Sequence, residues 1–167
     1  MMCPIRRPIA QFQTWLGQVL AIALVLSLLG SGHGAIAQAT PLDLAKQPEV
    51  TVNVSLGSAA NELKFIPAEM EFVAGKRYKL VLTNPSNTKH YFTAKDFADN
   101  IWSQKVEAGN VEIKGAIHEL ELKPGAIAEW VFVPIKSGTY DLHCTIPGHA
   151  EAGMIGHLSV ANNPKAA

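Results

Sequence analysis

Cysteine is nearly absent: the 167 residues hold two. Two cysteines cannot build the disulfide framework on which small exported domains often rely. Aromatic residues are sparse at 7% and charged residues reach 17%, with fourteen basic side chains set against fourteen acidic ones. A nucleic-acid-binding surface needs a basic excess, so that class of partner is excluded. No apolar run approaches the 18 or more residues that span a bilayer, and no stable membrane span is expected. The glycine patterns of nucleotide-binding loops and the Gly-x-Ser-x-Gly elbow are missing as well, which removes common enzyme signatures.

What is present starts at the N-terminus, where MMCPIRRPIAQFQTW leads into the eleven-residue run VLAIALVLSLL and then into small residues ending Ala35-Ile36-Ala37. A basic start, a short apolar stretch and a small-residue exit predict a secretory signal peptide over residues 1–37. Cys3 leaves with it, and no cysteine directly follows the apolar run to become an acylated first residue. The expected location is therefore outside the cytoplasm: the periplasm, or else the thylakoid lumen or extracellular space. Cleavage removes Arg6 and Arg7 but no acid, so the mature chain is slightly acidic. It keeps one thiol, Cys144, in a compartment where thiols pair or oxidise. Something must occupy that sulfur.

Residues 38–49, with Pro41 and Pro48, read as a leader arm. A single domain is expected over 50–162. Val50, Val52, Val54 and Leu56 alternate with Thr51, Asn53 and Ser55, the period-2 signature of a half-buried strand. Further strands are expected over 64–66, 70–73, 78–83, 91–93, 117–122, 128–133, 139–144 and 156–160. Turn chemistry separates them at Ala74-Gly75-Lys76, Asn84-Pro85-Ser86-Asn87, Lys123-Pro124-Gly125 and Lys136-Ser137-Gly138. The pattern predicts an all-β, antiparallel Greek-key sandwich. Residues 94–116 are the exception, with Asp96 to Ser103 expected as a short helix or a long loop.

The densest chemistry lies in HCTIPGHAEAGM, residues 143–154. Cys144, His149 and Met154 are each separated by four residues, and Pro147, Gly148 and Gly153 allow the chain to fold back between them. One thiolate, one imidazole and one thioether can then converge. Soft sulfur and borderline nitrogen donors select copper, and the trigonal arrangement of that metal with a long axial Met calls for a second histidine. Strand phase places Tyr140, Leu142 and Cys144 on one face and turns His143 away; His157 likewise points outward with Ser159. His90 and His118 remain. His90 sits at a strand entrance beside a loop, whereas His118 is in phase with Leu120 and Leu122 and reads as a core histidine or a partner behind a ligand. Trp102 and Trp130 are expected to be packing residues.

Together SGTYDLHCTIPGHAEAGMIGHLSV, the upstream NPSNTKH and the LKPG turn before EWVFV resemble the cupredoxin family of type 1 blue copper proteins. The ligand-loop spacing is most similar to auracyanin and rusticyanin, relatives of plastocyanin and azurin. The resemblance implies an eight-strand Greek-key barrel or sandwich, one copper per chain held by His90, Cys144, His149 and Met154, and one-electron transfer without enzymatic turnover. Many members carry an Asn directly after the first histidine, where this chain has Tyr91. Redox partner proteins are expected to dock on the mostly apolar loop around His149, with the protein a monomer. A copper storage or delivery module would use the same ligands.

Overall fold

The computed structural model describes residues 43–164. The expected signal peptide and the first residues of the leader arm lie outside that range. In chain order the elements are β1 (Val50–Leu56), β2 (Phe65–Ile66), β3 (Glu69–Val73), β4 (Tyr78–Thr83), β5 (His90–Thr93), α1 (Lys95–Ala98) and β6 (Ile101–Ala108). They continue with β7 (Val111–Ile113), β8 (Glu119–Leu122), β9 (Ile127–Pro134), β10 (Gly138–His143) and β11 (Ile155–Ala161). The strands form one sheet ordered β2-β1-β4-β9-β6-β7 and a second ordered β3-β11-β10-β5-β8.

Alternation explains why the sheets face each other. Tyr78, Leu80 and Leu82 of β4, Phe92 of β5, Tyr140 and Leu142 of β10, and Leu158 and Val160 of β11 are buried, while their odd-phase neighbours reach the surface or its edge. Two apolar faces of this kind must cover one another to leave water. The all-β sandwich is found as expected and most pairs are antiparallel, but the antiparallel reading is corrected at two: β1 runs parallel to β4, and β3 runs parallel to β11. Periodicity reports which face a residue occupies and is silent about the direction of its neighbour.

The segment 94–116 also differs from the sequence reading. Its helix ends at Ala98, and β6 begins at Ile101 and pairs with β9 through a register shift between Ser103 and Lys105. Gly109-Asn110 then makes a two-residue hairpin, with Ala108 opposite Val111 and Gly109 at φ 59°. Gly-Asn between short strands is a hairpin signal, and glycine supplies the positive φ. The bulge interrupts the alternation that would otherwise reveal β6.

The short helix delivers a core residue. Phe97 is fully buried and lies 5.3 Å from Phe132, 5.6 Å from Phe72, 5.7 Å from Tyr140 and 6.3 Å from Trp130, ring centre to ring centre. It joins aromatics from both sheets, mostly edge to face, the geometry that ring quadrupoles favour. Trp130 is buried as expected, and its indole N–H donates to Ser103 Oγ at 2.9 Å. Trp102 lies outside the buried core: it is 41% exposed, opposite the fully buried Val133 of β9. Phe97→Ala is expected to cost about 3–5 kcal/mol of stability, the usual penalty for emptying a buried aromatic position. Urea denaturation at constant m-value measures it.

Candidate metal centre

One end of the sandwich carries the chemistry. His90 opens β5 and is wholly buried, in phase with Phe92, so the strand that places Phe92 in the core also turns this imidazole inward. Cys144 follows the last residue of β10 and continues the inward row of Tyr140 and Leu142; it is 1% exposed. His143 is exposed, as strand phase predicts.

The loop after Cys144 is folded by its own backbone. His149 N–H donates to Ile146 O at 3.0 Å, Ala152 N–H to Gly148 O at 3.1 Å and Gly153 N–H to Ala150 O at 3.0 Å. Gly148 and Gly153 take φ of 83° and 104°, which most residues avoid. The loop closes where Met154 N–H donates to His149 O at 2.9 Å and Cys144 N–H donates to Met154 O at 3.1 Å. These bonds bring Met154, fully buried, back beside Cys144 along the chain's own fold.

His90, Cys144 and His149 each offer a ligating atom within 4.8 Å of the others. Cys144 Sγ lies 3.5 Å from His149 Nδ1, and the two imidazole centres are 5.2 Å apart. The Tyr91 backbone N–H points at Cys144 Sγ from 3.4 Å. His90 Nδ1 is buried without a hydrogen-bond partner. A buried polar atom left unpaired costs about 1–3 kcal/mol, so native proteins rarely keep one without a use. A histidine with an unpaired ring nitrogen, clustered with a thiol and a second imidazole, offers a donor set that fits a soft or borderline transition metal. Burial, and secondarily the neighbouring His149, push the His90 imidazole below its ordinary range. It is therefore held neutral, the form that binds metal.

The other histidines fall elsewhere. His118, expected to face the core, has a side chain 44% exposed, with Nε2 2.7 Å from Asp99 Oδ1. β8 starts only at Glu119, so the inward phase of Leu122 does not extend back to it. His157 points outward, as expected, and pairs with Glu69 at 2.8 Å. Two residues that sequence reasoning passed over support His90. Gly57, at φ 80°, comes so close to the imidazole that a Cβ there would sit 3.0 Å from Nε2. Asn84, buried, gives its amide protons to Thr88 O and Leu122 O at 2.8 Å, and its Oδ1 accepts from Ser86 N–H at 3.0 Å. It thereby fixes the turn that leads into β5. The Asn84-Pro85 pair signals a turn in the sequence; nothing in the sequence marks Gly57.

A family model described as the cupredoxin-like domain matches residues 19–155. The chain belongs to the cupredoxin-like family. This cupredoxin is 27% identical over 173 aligned residues to the copper-resistant cuproprotein CopI of Pseudomonas aeruginosa, covering 81% of the chain and 93% of the relative. It superposes on the copper-containing nitrite reductase of Thermus scotoductus with TM-score 0.53 at 16% identity, over 71% of this chain and 32% of that one. Auracyanin from Roseiflexus castenholzii aligns with TM-score 0.49 at 20% identity, over 68% of this chain and 99% of its own. The nitrite reductase likeness concerns the fold. The cupredoxin's clustered thiol and two imidazoles are donor chemistry that copper takes.

The depressed His90 has a consequence for the copper-free protein. The unfolded chain binds a proton at the ordinary histidine value of 6.5 that the fold refuses, so stability falls as pH drops through that range. His157 works in the opposite sense: Glu69 raises it, and its contribution is lost as pH rises through the raised value. Denaturation midpoints of the copper-free protein between pH 8 and 5 are expected to fall more steeply in the native sequence than in His90→Gln, since both keep His157.

Proposed function

We propose that this cupredoxin is an exported type 1 copper protein that passes single electrons between redox partners, with His90, Cys144, His149 and Met154 as the metal's ligands. The observation that carries the reading is the buried, unpartnered His90 Nδ1 in a cluster whose donor atoms lie within 4.8 Å of one another. Copper bound there would supply one-electron Cu(I)/Cu(II) chemistry. Cys144 would hold it as a thiolate, and the Tyr91 N–H at 3.4 Å is aimed to stabilise charge on that sulfur. The buried Met154 thioether would add a fourth, weak donor. Four protein ligands leave no open position for substrate, which argues for a carrier and not an enzyme.

The partner surface follows from the same loop. His149 is only half-buried, amid Ile146, Pro147, Ala150, Ala152 and the 50% exposed Ile155, with Glu151 the one charge. A small apolar patch around a ligand edge suits weak, transient docking. Among the described residues no helix is long and apolar enough to cross a membrane. A monomer released beyond the cytoplasm by cleavage after Ala37 completes the proposal.

A second reading, copper storage or delivery, draws on the likeness to CopI, a copper-resistant cuproprotein. It would use the same ligands with a labile metal. Fast self-exchange at a reversible potential favours the carrier; ready loss of copper to a competing chelator favours delivery.

Adding copper(II) to the purified mature protein is expected to give an intense visible thiolate-to-copper absorption. Cys144→Ser and His90→Ala should abolish it and His118→Ala retain it. The reverse result for the two histidines would overturn the ligand set. Ala150→Glu should slow reduction by the partner about tenfold, a docking loss near 1.4 kcal/mol, and leave the spectrum unchanged. An unaltered rate argues against docking at this loop.

A further inference from the structure

The two strands that carry His90 and lead to Cys144 barely touch. β5 and β10 share one Cα pair, Thr93 with His143, whereas β10 and β11 share six. Sheet pairing alone therefore leaves the start of the ligand loop weakly tied to β5. Glu119 lies across that seam. On β8 it sits directly opposite Thr93, and its Oε2 accepts from Thr93 Oγ1 at 2.9 Å and from Thr145 Oγ1 at 2.8 Å. Thr93 is three residues beyond His90, and Thr145 immediately follows Cys144. One carboxylate oxygen on the β5–β8 ladder thus also ties down Thr145, the first residue of the ligand loop, which that ladder does not hold.

The residue after His90 does not make this tie with its side chain. The Tyr91 hydroxyl goes outward to Glu121, and Lys89 Nζ reaches the same pair, at 3.1 Å from each. Only the Tyr91 backbone N–H crosses to the sulfur.

We infer that Glu119 is a positioning residue for the metal centre: by accepting from Thr93 and Thr145 it locks the first residue of the ligand loop against β5 and sets how Cys144 faces His90. The inference rests on the proposed copper reading for its metal readouts and stands without it for the copper-free loop. Because both bonds are exposed, their contribution to overall stability is small. Their effect is on geometry. Groups that orient ligands from behind typically change metal affinity by about 10–100-fold when removed. Both hydroxyls donate to the same oxygen, so a neutral carbonyl oxygen at that point can accept them too.

The test compares Glu119→Ala, Glu119→Gln and Thr145→Val. In the copper-free proteins, hydrogen exchange of the loop amides between Thr145 and Met154 is expected to rise about tenfold in Glu119→Ala and Thr145→Val, at nearly unchanged denaturation midpoints, and to stay near native in Glu119→Gln. In the copper-loaded proteins, the first two are expected to lose metal to a chelator about tenfold faster, with a shifted charge-transfer band, and Glu119→Gln to be rescued. Native exchange and native copper retention in Glu119→Ala would overturn the inference. So would Glu119→Gln behaving like Glu119→Ala, which would assign the effect to charge. If the native protein takes up no copper but loop exchange still responds, the positioning role holds and the copper reading fails.

Discussion

A single cross-strand pair, Thr93 with His143, is the constraint from which the metal centre is built. A long ladder between β5 and β10 would zip the sheet closed and leave no room for side chains to converge at its end. With one pair, His90 and Cys144 lie beyond the end of the ladder, both turned inward, and the backbone N–H of Tyr91 reaches the sulfur from 3.4 Å. The rest of the sandwich compensates. The aromatic group around Phe97 couples the two sheets from within, and Asn84 and Gly57 hold the loops on the His90 side.

The donor end is held by the chain's own packing and hydrogen bonds. Three of the four proposed ligands are almost fully buried, the loop between Cys144 and Met154 is hydrogen-bonded to itself, and His90 is kept neutral. Under the proposed carrier reading, a pocket held in this way would limit rearrangement when the charge at its centre changes by one.

Much of this was legible in the chain. Strands with clean alternation, such as Tyr78–Thr83 and Val50–Leu56, are found at the expected residues because one face of each is buried. The converging loop was legible because its glycines, its proline, its two sulfur donors and its imidazole lie within eleven residues. Less could be read where partners are distant in sequence. The parallel neighbours of β1 and β3 come from far along the chain. The bulge hides β6, and the place of His118 depends on where a strand begins. Gly57 and Glu119 carry no local mark at all, since each matters through a residue more than twenty positions away.

The sheet borders tell of a different pressure. The four edge strands are β2 and β7 in one sheet and β3 and β8 in the other. β2 has two residues and β7 three, too short to template another chain. β3 shows Glu69 and Glu71 to solvent, and β8 shows Glu119 and Glu121. Short or like-charged borders repel a second copy approaching edge to edge. A protein whose proposed work is brief collision with others thus offers a second copy little free edge on which to extend a sheet.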